Sequence, residues 1–416
     1  MRPLPDIRVM YLDFDGFFAS VEQQYDPKLR GRPIGVIPFD GVVKNSAVIA
    51  CSREAKKRGV KNVMPIKEAL AICPDLVLVP QKPDLYVRAH NTLLAEIETI
   101  LPIDTVKSID ELCCRLDARA IANPRGLAQD IKDNLADSVG PFITCSVGFA
   151  ANRQLAKMAC KMDKPNGITI WHPSVMPAPL LKLPLDDIPG IGPAMKTRLA
   201  QHGIVETKAL YNLQPKHMRK IWRSVNGETL WYALHGYDVQ APETGRRQFG
   251  HGRVLPPEIR THGKAYHMAR LLLAKAARRL RREGYYTAHI AVWLDIEGEQ
   301  WARGLRLPIV RDDQAIFSGL RRIWDEAERT LHRRTRIFRL GVTLGDITPA
   351  RARQMDLLLN DEEMRRKWEA VTSTIDTINY RYHQTKVSMG PWNPPEGAHV
   401  GAKISYTRLP SAEDFI

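Results

Sequence analysis

The sequence predicts a multidomain α+β chain, and three observations carry that prediction. Residues 1–170 alternate strand-like and helix-like stretches, residues 171–240 break into short helices punctuated by Pro and Gly, and residues 246–345 return to a long helix and strands under strong positive charge. At 416 residues the chain exceeds one ordinary core, and roughly 150 residues per domain implies two to four domains.

The elements follow in order. "RVMYLDF" reads as a strand and "FFASVEQQ" opens a helix; "NSAVIAC" is a short strand leading into the cationic helix "SREAKKRG". "LVLVP" is a strand, and residues 83–100 carry a helical period. "VKSID" and "ELCCRLD" read as two strands joined tightly at Asp110, followed by a helix near 124–138 and the strand "FITCSVGFA". Without the insert at 30–80 the order is strand, helix, strand, strand, helix, strand, the split βαβ pattern of a ferredoxin-like sheet. A small helical domain is expected around "DDIPGIGPAMKTRLAQHGI". The segment after it holds the helix "AYHMARLLLAKAARRLRREG" and the strands "HIAVWLDI", "WARGLRLPI" and "FRLGVTLGDI". The last 70 residues contain a short amphipathic stretch and the loop "GPWNPPEG", and are expected to form a loosely packed tail.

Lys and Arg number 61 against 46 Asp and Glu, a net charge of +15, and the pI is near 9.6. That balance favours a polyanionic partner, nucleic acid first. Residues 246–345 hold 21 Lys and Arg against 10 acids, so most of the surplus sits in a quarter of the chain. No apolar run approaches the ~18 residues of a spanning helix, and "MRPLPDIRVM" lacks the apolar core of a secretory signal. A cytoplasmic, nucleoid-associated protein without membrane contact is expected. Cys51, Cys73, Cys113, Cys114, Cys145 and Cys160 show no C-x-x-C pair and no zinc spacing, and read as reduced core residues.

The chemistry lies in the acids. Asp13 ends a strand that otherwise reads as buried, and burying a carboxylate without a partner costs several kcal/mol. In the split βαβ pattern the first strand lies beside the central hairpin, so Asp13 can meet Asp110 and Glu111 of "SIDE" at one sheet edge. Three hard oxygen ligands suit Mg²⁺. A pair of ions about 3.5 to 4 Å apart would activate an attacking hydroxyl and stabilise a leaving phosphate oxygen. Asp15 shares the face of Asp13, as a ligand or as a structural support.

"DFDGFFASVE", "SIDE" and "VGFAANRQLAKMACKMDKPNG" resemble, in order and spacing, the signature segments of the Y-family DNA polymerases, the DinB and UmuC type of translesion enzyme. The resemblance covers about residues 7–345. It implies a right-hand polymerase: a catalytic ferredoxin-like palm at 1–29 and 81–170, small fingers at 30–80, and a helix-hairpin-helix thumb at 171–240. A basic α+β little finger at 246–345 and a C-terminal tail at 346–416 complete it. Asp13, Asp110 and Glu111 correspond to the family's catalytic metal ligands, joined by the main-chain carbonyl of Phe14, for two Mg²⁺ ions that Mn²⁺ can replace.

By the same resemblance Phe18 is a steric gate, its ring under the sugar of the incoming dNTP where it would clash with a 2′-OH. Phe17 is grouped with it at the nucleotide pocket, its ring expected in the core. Arg53 and Lys56, where many members carry Tyr and Arg, and Lys164 of "DKPNG" are expected on the triphosphate; Lys lacks the planar fork of Arg. Gly190 and Gly192 of "IPGIGPAMKTRL" allow a tight turn whose N–H groups can hold a DNA phosphate. Arg278 and Arg279 of the long helix are assigned to DNA binding. Gln354, Met355, Asp356, Leu357 and Leu358 resemble the bacterial sliding-clamp-binding peptide, without its usual Phe.

The resemblance implies a template-directed DNA polymerase of the translesion class, of low fidelity, that adds dNMPs to a primer 3′-OH on primer-template DNA. Other subunits of a mutagenesis complex are candidate partners beside the clamp. The alternative is a non-catalytic, polymerase-like DNA-binding accessory subunit of such a complex, against which the intact acids argue. A nucleotidyl cyclase would share the palm, but has no purpose for the helix-hairpin-helix or the basic domain.

Overall fold

The computed structural model describes residues 3–38, 46–239, 245–354 and 362–392, which fall into two compact units divided near residue 242. The first unit opens with β1 (Val9–Phe14) and α1 (Phe17–Tyr25). An inserted segment follows, with β2 (Ile34–Ile37), β3 (Ala47–Val48), β4 (Ala50–Cys51), α2 (Arg53–Lys57), β5 (Met64–Pro65), α3 (Ile66–Ile72) and β6 (Val77–Pro80). The chain returns through α4 (Pro83–Glu98), β7 (Thr105–Val106), β8 (Glu111–Arg115), α5 (Ala118–Ala122), α6 (Pro124–Ser138), β9 (Cys145–Ala150), α7 (Arg153–Met162) and β10 (Ile168–Trp171). The short helices α8 (Pro193–Gln201), α9 (Thr207–Tyr211), α10 (Pro215–Trp222) and α11 (Val225–Leu234) close the unit.

The main sheet runs β10-β9-β1-β8-β7, with β1 antiparallel to both β8 and β9. Leaving out β10, this is the split βαβ sheet expected from the sequence. β1 and β9 are almost wholly buried, as strands covered on both faces must be. Tyr11 and Cys113 of the sheet share one core with Leu155 and Met158 of α7 and with Leu199, Leu210 and Met218 of the closing helices. Contact between sheet and α7 is unusually close. A Cβ on Gly148 would lie 2.2 Å from the Cys160 nitrogen and 2.3 Å from the Ala156 oxygen, so only glycine fits.

Two local expectations change. "NSAVIAC" forms two two-residue strands in different sheets: β3 pairs with β5, and β4 with β2. "VKSID" is strand only to Val106; residues 107–110 make the turn, with Lys107 and Ser108 N–H both donating to the Glu111 carbonyl. All six cysteines are buried and free, as the sequence suggested. Among the described residues no helix is long and apolar enough to cross a membrane.

The second unit contains β11 (Phe249–Val254), α12 (His262–Arg282), β12 (Tyr285–Ile296), β13 (Glu299–Val310), α13 (Asp313–Thr330), β14 (Ile337–Pro349) and α14 (Glu362–Arg381). Its antiparallel sheet runs β11-β14-β12-β13, and Ile290, Val292, Leu340 and Val342 pack against Leu273, Ala276 and Leu280 of α12 and Trp324 of α13. The sequence reading lacked β10, β11 and α13. It also expected a loose tail, whereas α14 docks firmly. Arg365 reaches both oxygens of fully buried Asp312 at 3.3 and 3.1 Å. Arg281 bridges Asp376 at 2.6 and 2.9 Å and Asp313 at 2.8 Å. Met355, Asp356, Leu357 and Leu358 lie outside the described residues.

Candidate active site

Pairing across the sheet brings the acids together. Asp13 stands opposite Glu111 of β8 and opposite Ser146 of β9, and the Phe14 N–H donates to the Asp110 carbonyl at 2.8 Å. The turn carrying Asp110 is held from below by His90 of α4, whose Nδ1 lies 2.7 Å from the Ile109 carbonyl. A carbonyl only accepts, so Nδ1 carries the proton.

The carboxylates have separate partners. Glu111 accepts from Lys157 Nζ at 2.6 and 2.8 Å, Asp13 pairs with Lys164, and Asp110 accepts from Ser108 Oγ at 2.5 Å. Among the described residues no three His, Cys, Asp or Glu side chains are gathered as a ready ligand set. The backbone therefore converges as the sequence indicated, while Asp13 and Glu111 point to ammonium groups and Asp110 to a hydroxyl.

Charge is only partly compensated. Burial pushes the Asp13 carboxyl up to about 6 although Lys164 pulls it down, because Asp110 and Glu111 add repulsion. Glu111 goes the other way: burial raises it, but the hydrogen bonds and charge of Lys157 outweigh burial and leave it below the usual carboxylate range. An incompletely neutralised cluster of hard oxygen donors fits a divalent cation, which would relieve the cost that Asp13 still bears.

Asp15 is structural. Its carboxylate accepts from Thr144 Oγ1 at 3.0 Å, Ser146 Oγ at 2.8 Å and the Asn166 N–H at 2.8 Å. These bonds tie the end of β1 to β9 and to the loop bearing Lys164. Gly16 then turns the chain in the left-handed region, φ +58°, and α1 starts without a side-chain cap. Lys56 of α2 lies over that turn, its Nζ 3.6 Å from where a Gly16 Cβ would be. Arg53 donates to Thr144 Oγ1 at 2.9 Å.

The aromatic pair divides as the sequence suggested. Phe17 is 3% exposed, its ring 5.7 Å from that of Phe14, and belongs to the core. Phe18 is half-buried and stacks on Tyr86, with centroids 4.5 Å apart and planes 12° apart. Gly190, at φ +102° between buried Ile188 and Ile191, and Gly192, which caps the start of α8, are both exposed.

The structure does not present Arg278 and Arg279 as a DNA grip. Arg279 is 6% exposed and donates to the Gly250 carbonyl at 2.7 Å. Arg278 donates to Thr385 at 3.0 Å, lies 3.8 Å from Asp376 and packs over Trp392. Both are held within the second unit, Arg279 against β11 and Arg278 against the C-terminal segment. Sequence reasoning also missed Lys157, His90 and Tyr86. An ammonium on the same helix as buried Leu155, Ala156, Met158 and Ala159 was the available signal for Lys157.

Comparison with known proteins agrees with this geometry. Residues 12–161 match the impB/mucB/samB family, and residues 246–357 match the C-terminal domain of that family. The DNA polymerase IV of Moorella thermoacetica is 31% identical over 91% of this chain and 94% of its own length. The chain belongs to the Y family of DNA polymerases. Other relatives of this Y-family chain include DNA polymerase IV 1 of Bacillus subtilis, 28% identical over 92% of both chains. Among solved structures, a Y-family DNA polymerase chimera superimposes with TM-score 0.69 at 25% identity, covering 82% of this chain and 99% of the other. An insertion ternary complex of Dbh DNA polymerase aligns with TM-score 0.56 at 26% identity over the same shares.

Proposed function

We propose that Asp13, Asp110 and Glu111, with the Phe14 carbonyl, hold the divalent ions with which this DNA-directed DNA polymerase of the translesion class extends a primer on template DNA. The carrying observation is the direct register of Asp13 with Glu111, with Asp110 fastened beside them by the Phe14 N–H. Two Mg²⁺ ions, or Mn²⁺ in their place, supply activation of the primer 3′-OH and stabilisation of the departing pyrophosphate oxygen. The chain's own groups do the rest. Lys164, Lys56 and Arg53 neutralise the triphosphate of a dNTP, and Asp15 keeps the Lys164 loop against the strand ends. Phe18 closes the sugar side of the pocket against a 2′-OH. The turn at Gly190 and Gly192 offers backbone N–H groups to a DNA phosphate without reading sequence.

The palm, fingers and thumb are assigned to the first unit and the little finger to the second, with Gln354 to Leu358 as the contact for a sliding clamp. Work at the nucleoid in the cytoplasm follows from that role, and other mutagenesis-complex subunits are further partners of the same reading. The accessory-subunit reading is not favoured, because all three acids are present and aligned.

Supplying each dNTP singly to the purified chain on a defined primer-template with Mg²⁺ tests the assignment. Extension by the complementary nucleotide at a rate well above that of the other three is expected, with the slower misincorporation of a low-fidelity enzyme beside it. Equal extension by all four nucleotides, or DNA binding with no extension, contradicts it.

A further inference from the structure

Behind the gate lies a polar assembly that no step above uses. Tyr86 of α4, fully buried, carries the Phe18 ring on its face. Its hydroxyl donates at 2.8 Å to Oε1 of Glu22, and Lys82 Nζ donates at 2.7 Å to Oε2 of the same carboxylate. Glu22 is itself 0% exposed and lies on α1 one helical turn beyond Phe18. A buried carboxylate is costly unless its acceptors are filled, and here both oxygens are. Burial, and then the charge of Glu22, push the Tyr86 phenol above its ordinary range, so the hydroxyl remains a donor.

The contacts close a loop between two helices. Phe18 and Glu22 project from α1, while Tyr86 lies in the first turn of α4 and Lys82 is the residue immediately before it. Phe18 cannot retreat from the nucleotide unless Tyr86 moves, and Tyr86 is pinned at its far end by Glu22. Lys82 fixes Glu22 in turn. A ring that only packed against Tyr86 could slide along it; one backed by a hydrogen-bonded ring has a fixed depth.

From this geometry we infer that Glu22, acting through Tyr86, is a positioning residue that sets how tightly Phe18 excludes a ribose 2′-OH. The inference rests on the steric-gate reading of Phe18. Tyr86→Phe removes only the hydroxyl and keeps the ring; Glu22→Gln removes the charge that holds Lys82.

The test measures kcat/KM for a correct dNTP and the matching rNTP on one primer-template, for the native chain, Glu22→Gln, Tyr86→Phe, Phe18→Ala and the Phe18→Ala, Tyr86→Phe double variant. A hydrogen bond to a charged group is a strong one, so each of the first two variants should raise rNTP incorporation by about three- to tenfold. Phe18→Ala should raise it further, and adding Tyr86→Phe to it should change nothing, because both act through one ring. General damage to the fold lowers kcat/KM for both nucleotides, so the rise in rNTP use is read with dNTP use retained. A parallel fall for both nucleotides in Glu22→Gln and Tyr86→Phe, or no rise in rNTP use where Phe18→Ala gives one, overturns the inference and leaves the gate standing. An unchanged sugar preference in Phe18→Ala removes the gate and the inference together.

Discussion

Asp13 and Glu111 face one another across β1 and β8, yet each carboxylate is turned to its own lysine, Asp13 to Lys164 and Glu111 to Lys157. Their proton affinities diverge accordingly. Burial raises Asp13 to about 6 from an ordinary 3.8, while Lys157 leaves Glu111 below its usual range despite burial. Between those two Asp13 values the folded chain holds a proton that the unfolded chain has released. Asp13 thus stabilises the ion-free fold as pH falls from 6 toward 4, and that contribution is lost as pH rises through 6. Glu111 contributes above its unfolded value and loses that contribution as pH falls.

On the proposed role of Asp13 as a ligand, a cation has to displace its proton below about pH 6. The Mg²⁺ concentration for half-maximal nucleotide incorporation should therefore rise about tenfold for each pH unit below 6 and level off above 7. Incorporation kinetics from pH 5 to 8 across a Mg²⁺ series read this directly, and a requirement that does not change with pH would contradict it.

Gly148 sets the distance between β9 and α7. Alanine there would press on the main chain at Cys160 and Ala156, which cannot move aside as a side-chain tip can. Gly148→Ala should cost about 3 kcal/mol in denaturant unfolding of the first unit. Because α7 carries Lys157 and leads to Lys164, the surviving folded fraction should also lose activity.

Arg365→Ala leaves Asp312 buried without its guanidinium partner. Breaking such a pair costs about 3 to 5 kcal/mol. Hydrogen exchange across residues 362–381 should rise sharply, and more than across α12. Unchanged protection would mean that α14 is held by its other contacts, such as the Arg281 bridge to Asp376.

Removing residues 354–358 should weaken clamp pull-down and abolish clamp stimulation of synthesis, with the loss confined to reactions that contain the clamp. Full stimulation by the deleted chain would place the clamp contact elsewhere.

The main sheet was legible because alternation and turn residues report local backbone, and the order of elements then places Asp13 beside Asp110 and Glu111. Lys157 was not legible. Its partner lies 46 residues away in the chain, and only the close seating of α7 on Gly148 brings the two together. Arg278 and Arg279 show the opposite error, since a run of cations on a helix does not say which cations face inward. The buried side of α12 takes Arg279 to a strand carbonyl and Arg281 to two carboxylates. The tail helix escaped notice for the same reason: ion pairs of its Arg365 with Asp312 and of its Asp376 with Arg281, not an apolar stripe alone, hold that end of the chain in place.

The most direct test of the account is primer extension by the purified chain with dNTPs, titrated with Mg²⁺, beside an Asp110→Ala, Glu111→Ala variant whose primer-template binding is measured in parallel. The account predicts Mg²⁺-dependent extension by the native chain and none by the variant, with DNA binding retained. Extension by the variant at native rates, or extension without any divalent ion, would contradict it.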